Sequence, residues 1–145
     1  LPTLGPEGRV VNVSSAAQAP VDPRALAGEI QLSDMDAYAQ SKLAITMWTR
    51  ELARRPDAPM IVAVNPGSLL ASKMVREGFG IAGSDLSIGA NILRRAALSD
   101  EFAKASGLYF DNDAADFGPP HADALDPAKS AEVTAQIEAL VERCA

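Results

Sequence analysis

Gly8-Arg9-Val10-Val11-Asn12-Val13-Ser14-Ser15 and Met60-Ile61-Val62-Ala63-Val64-Asn65-Pro66-Gly67 decide the fold. Each is a short β-branched run that stops at polar or turn-forming residues, as a strand buried on both faces of a parallel sheet does. Between them, Tyr38-Ala39-Gln40-Ser41-Lys42 opens a stretch whose apolar residues Leu43, Met47, Trp48 and Leu52 recur at helical spacing. Strand, helix, strand is a βαβ unit, so an α/β fold is predicted. Ligands of such sheets bind beyond the carboxyl ends of the strands, where Ser15 and Pro66-Gly67 fall.

Tyr38 and Lys42 are one helical turn apart, so phenol and ammonium project from the same face. A free tyrosine titrates near ~10, and a nearby cation favours the phenolate, which makes proton exchange at neutral pH useful. An ordinary Tyr/Lys pair on a solvated helix has the same spacing. The order of the neighbouring motifs separates the two readings.

That order is a strand ending Asn12-Val13-Ser14-Ser15, then Tyr38-x-x-x-Ser41-Lys42 on a helix, then a strand ending Asn65-Pro66-Gly67, and it resembles the short-chain dehydrogenase/reductase family. The resemblance covers nearly the whole chain. Within the family it is nearest the retinol-dehydrogenase-like and protochlorophyllide-reductase-like branch. The residues behind this are Tyr38-Ala39-Gln40-Ser41-Lys42-Leu43-Ala44, Thr49-Arg50-Glu51-Leu52-Ala53-Arg54-Arg55, the long segment between Ser15 and Tyr38, and Ser106-Gly107-Leu108-Tyr109-Phe110.

The resemblance implies a Rossmann-like doubly wound parallel sheet, of which this chain supplies the last three strands and their helices. It implies an NAD(P)-dependent oxidoreductase that interconverts a small-molecule alcohol and carbonyl by hydride transfer. Ser15 would hydrogen-bond the reacting oxygen, Tyr38 would give or take its proton, and Lys42 would favour the phenolate and hold the nicotinamide ribose. Tyr38, Lys42, Pro66, Gly67, Ser68 and Leu69 would contact the cofactor, NADP or NAD, with NADP favoured by the branch resembled. Ser14 would be a structural group at the strand end. The family's usual threonine is replaced by Ala71, with Ser72 beside it.

The family's glycine-rich phosphate turn, its Asn-Asn-Ala-Gly stretch and a further catalytic asparagine have no counterpart here. Residues 1–145 are therefore expected to be the carboxyl-terminal part of a single NAD(P)-binding domain without its dinucleotide-binding half, Leu1 to Leu4 closing the preceding helix. Such a chain alone should be inactive, and its partner a complementing amino-terminal half or a second copy. Two other functions share the pattern: a non-catalytic Rossmann-fold binding or regulatory protein, and an extended-type epimerase or dehydratase.

The remaining signals are blander. Gly78-Phe79-Gly80-Ile81-Ala82-Gly83 matches a dinucleotide fingerprint but follows polar, helix-like residues, and reads as a mobile loop over the substrate mouth. Asp111-Asn112-Asp113-Ala114-Ala115-Asp116 begins like a calcium loop but lacks its sixth-position glycine and final glutamate, leaving a solvated acidic turn. One histidine, His121, and one cysteine, Cys144, leave no material for a metal site, a histidine-based hydrolase or an internal disulfide. A net charge of -6 argues against nucleic acid and anionic membrane as partners, and the composition suits a cytoplasmic protein. Further elements are expected: a helix beginning around Asp34 to Asp36 and capped by those residues, one over 85–98 capped by Ser84, and one from Asp126-Pro127 to about Glu142. Gly107-Leu108-Tyr109-Phe110 is expected as the final strand, with Tyr109 against the last helix, Trp48 in packing, and the 16–33 connection irregular.

Overall fold

In the computed structural model, which describes residues 4–144 except 6 and 72, four strands form one sheet. β1 (Arg9–Val13), β2 (Met60–Asn65), β3 (Tyr109–Asp111) and β4 (Asp116–Gly118) lie side by side in that order. β1, β2 and β3 are parallel, with Val13 opposite Val64 and Asn65 opposite Asp111. Their carboxyl ends therefore finish at one level.

The helices are α1 (Pro23–Leu26), α2 (Asp34–Leu52), α3 (Lys73–Phe79), α4 (Leu86–Leu98), α5 (Ala122–Leu125) and α6 (Pro127–Cys144), with a 3-10 turn at Asp100–Phe102. Ile61, Val62, Ala63 and Val64 are all fully buried, because β2 is central and covered on both faces. One core cluster joins Val62 and Val64 to Ile92 and Ala96 of α4 and to Phe102 and Phe110. A second joins Leu43, Ala44 and Met47 of α2 to Ala124 and Val133. Phe102, Phe110 and Phe117 pack ring on ring at centroid distances of 5.1, 5.3 and 5.0 Å, fastening the β3–β4 hairpin to the core.

Several expectations need correction. The described residues contribute four strands, not three: β3 is followed by antiparallel β4, whose Asp116 faces Asp111 across the hairpin. Ser33, not Asp34 or Asp36, caps α2, its Oγ accepting from the Asp36 amide at 3.2 Å and donating to the Asp36 carboxylate at 2.6 Å. Asp85 rather than Ser84 caps α4. The 16–33 connection contains α1, started by Asp22 and by Pro23 at its first position. α6 does open at Asp126-Pro127, the Asp126 carboxylate accepting from the Ala128 amide at 2.9 Å. Residues 1–3, on which the reading of a preceding helix falls, lie outside the described residues.

Candidate active site

β1 ends at Val13, and the next residue, Ser14, is buried. Its amide donates to Val64 O at 2.8 Å, its hydroxyl donates to Lys42 O at 3.1 Å, and that hydroxyl lies 2.7 Å from Thr46 Oγ1. Asn12 donates from Nδ2 to Thr49 Oγ1 at 2.7 Å, so the side chains of Asn12 and Ser14 together fix α2 against the end of β1. The turn of α2 that carries Lys42 is thereby placed beside the strand end.

Ser15 stands one residue further out and half-buried. Its carbonyl accepts from Gln18 Nε2 at 2.8 Å and from the Tyr109 hydroxyl at 3.1 Å, and its Oγ accepts from the Ala17 amide at 3.1 Å. Tyr109 is therefore a support beneath Ser15. Its phenol is pushed up to about 12, chiefly by burial and then by the negative charge of Asp111, so it stays a neutral donor at physiological pH.

On α2, the Lys42 ammonium lies 5.4 Å from the centre of the Tyr38 ring and donates to Val13 O at 2.9 Å. Desolvation holds Lys42 below the ordinary lysine range. A cavity of about 480 Å³ opens beyond the strand ends. Ser15, Tyr38 and the run Pro66, Gly67, Ser68 and Leu69 all line it, which brings together three stretches distant in sequence. Lys42 is not in the lining; its ammonium lies over the Tyr38 ring. Among the described residues lining the cavity none is charged, and its Met35, Leu69 and Leu86 are exposed. The uncharged lining suits a neutral, apolar ligand.

The 66–70 wall has an unusual backbone. Gly67 has φ 128° and Leu69, which is not glycine, has φ 53°. Asn65 is buried and receives the Gly67 amide on Oδ1 at 3.2 Å. At the far end, the Ala71 amide donates to Ser84 O and the Ser84 amide to Leu69 O, both at 2.7 Å. A Cβ on Gly83, itself at φ +76°, would lie 2.7 Å from the Ala71 amide nitrogen, so only glycine permits this close approach. The glycine stretch divides: Gly78 lies inside α3, residues 80–83 form a connection without helix or strand, and Ser84 pairs with Leu70 of the cavity wall. No strand runs into Gly78, which removes the dinucleotide-fingerprint reading.

Ala71 does not line the cavity, and Ser72 lies outside the described residues. A second cavity, about 550 Å³, is lined by Trp48, Leu52, Pro59 and Ile61 at the opposite ends of β2 and α2. None of the residues singled out for catalysis reaches it. Among the described residues no three His, Cys, Asp or Glu side chains cluster to hold a metal ion, and no helix is long and apolar enough to cross a membrane.

Sequence reasoning missed Asn65, Tyr109, Asp111, Asn112 and Asp113. The 111–116 stretch is no freely solvated turn, since Asp111, Asn112 and Asp113 all bond to the 65–68 segment. The available signal was positional: polar residues directly after a buried strand belong to the same edge as Ser15 and Pro66.

No family model matches the chain. Human (Homo sapiens) retinol dehydrogenase 13 is 30% identical to it, the similarity covering 71% of this chain and 37% of that protein. The chain thus spans little more than a third of that relative's length.

Proposed function

We propose that this chain is the carboxyl-terminal part of one NAD(P)-binding domain of the short-chain dehydrogenase/reductase type, and that it acts on the oxygen of an apolar alcohol or carbonyl. The observation behind this reading is the convergence of Ser15, Tyr38 and residues 66–69 on one uncharged cavity at the carboxyl edge of the sheet. The similarity to a retinol dehydrogenase supports the same chemistry.

The residues present suit the nicotinamide end of NADP or NAD. A neutral ring and carboxamide would meet the backbone of Pro66, Gly67, Ser68 and Leu69, with no acidic side chain in the lining to oppose them. When bound, the coenzyme supplies or accepts the hydride.

The chain's own groups handle the oxygen. As a carbonyl is reduced, negative charge grows on that atom, and the Ser15 hydroxyl stabilises it by donating a hydrogen bond. Tyr38 delivers the proton, and in the reverse direction its phenolate removes the proton of the alcohol. Lys42 places a cation over the Tyr38 ring and would reach the coenzyme ribose from the same helical turn. Ser14 and Thr46 set where that turn lies relative to Ser15. Met35, Leu69 and Leu86 favour an apolar substrate body.

The test is made on the full-length gene product, with NADPH and NADH against a panel of apolar aldehydes and ketones. Tyr38→Phe should lower turnover by about 100-fold or more while coenzyme affinity stays within a factor of about two, because the proton is needed only as charge develops. Near-normal turnover in Tyr38→Phe would overturn the assignment.

A further inference from the structure

The cavity wall at 66–70 does not hold itself. Leu69, which is not glycine, lies at φ 53°, a conformation that persists only where the surroundings impose it. The restraint comes from the turn between β3 and β4. Asp113 accepts from the Ser68 amide at 2.9 Å on Oδ1, and from the Ser68 hydroxyl at 2.5 Å and Asn65 Nδ2 at 2.9 Å on Oδ2. Asn65 Nδ2 also donates to Asp111 at 2.8 Å, and Asn112 Nδ2 donates to Pro66 O at 2.9 Å. Asp111 at the end of β3 and the turn residues Asn112 and Asp113 therefore grip the 65–68 stretch, and Asp113 engages both polar groups of Ser68.

We propose that Asp113 is a positioning residue: by binding Ser68 and Asn65 it fixes the backbone that faces the nicotinamide. This rests on the coenzyme reading above. Partial desolvation works against the charged form of Asp113, but the hydrogen bonds from the Ser68 hydroxyl and amide and from Asn65 outweigh it. They hold the carboxyl below the usual aspartate range, so the grip is intact at neutral pH. Asp113 lies outside the cavity lining and touches no reacting atom. Its effect reaches the ligand only through the shape of residues 66–69.

A local effect on the nicotinamide end can be told from general loosening by comparing two ligands in the full-length protein. NADPH carries the nicotinamide, whereas 2′-phospho-ADP-ribose is the same molecule without it; NADH and ADP-ribose form the parallel pair. Asp113→Ala should weaken NADPH or NADH about tenfold, the value of one hydrogen bond to a charged group, and leave the truncated ligand unchanged. Asp113→Asn, which keeps an acceptor for the Ser68 amide, should recover part of the loss. Equal weakening of both ligands, or no weakening of either, overturns the proposal. Amide hydrogen exchange in the absence of ligand gives a readout independent of the coenzyme. Ser68 should exchange faster in Asp113→Ala while the β1 amides do not change, and unaltered Ser68 exchange overturns the restraint itself. If the wild type binds neither dinucleotide, the coenzyme reading and its nicotinamide consequence fall together, and exchange alone then decides whether Asp113 holds Ser68.

Discussion

Raising the pH from 10 to 12 should weaken the fold through a single hydroxyl. Tyr109 is 5% exposed and donates to the Ser15 carbonyl; burial, and then the charge of Asp111, move its phenol from 10.0 to about 12. Between those values the native chain keeps a proton that the unfolded chain has released. The native state then binds more protons, so stability falls as the pH rises. The contribution is intact below pH 10 and gone near 12. A displacement of two units corresponds to about 3 kcal/mol, a large share of the roughly 5–15 kcal/mol that holds a domain folded. The chain has two tyrosines, so in Tyr38→Phe the ultraviolet absorbance of phenolate reports Tyr109 alone. Its native midpoint should lie near 12. Urea unfolding at stepped pH, compared between Tyr38→Phe and Tyr38→Phe/Tyr109→Phe, cancels the titration of lysines, and only the first should lose the extra stability. A native midpoint near 10, or the same pH slope in both proteins, would refute the reasoning.

Two further substitutions probe the scaffold around the site. Phe102 is fully buried against the rings of Phe110 and Phe117, so Phe102→Ala should cost about 3–5 kcal/mol and Phe102→Leu distinctly less, read as shifts in the denaturant midpoint. Gly83→Ala should cost more than about 1 kcal/mol, because its Cβ meets the Ala71 backbone at a left-handed position. Faster hydrogen exchange at Ala71 and Ser84 should accompany it, and unchanged exchange would mean that the backbone pairing survives.

The parts of the fold legible in the sequence were those with strong periodicity. Arg9–Val13 and Met60–Asn65 stand out because strands buried on both faces need unbroken apolar runs, and α2 and α6 because both are long and capped. β4 was hidden. Three residues, Asp-Phe-Gly, carry too little pattern to announce a strand, and Phe117 gains its meaning only from the rings of Phe102 and Phe110. Short α1 was lost among prolines for the same reason. Ser15, Tyr38 and the 66–69 run were picked out by spacing and resemblance, and the structure places them around one cavity. The supports beneath them were not legible, since Tyr109 to Ser15 and Asp113 to Ser68 are contacts across 94 and 45 residues of chain. Local propensity holds no record of such pairs.

The two sides of the sheet are chemically unequal. β4 ends at Gly118, and Pro119-Pro120 follow, residues without amide hydrogens, so that flank offers a short and poorly donating rail. β1 is five residues long, free of proline, and hydrogen-bonded to β2 on one side only among the described residues. Of the two open edges among the described residues, β1 therefore offers the longer run of backbone donors and acceptors, and it ends beside Ser14 and Ser15.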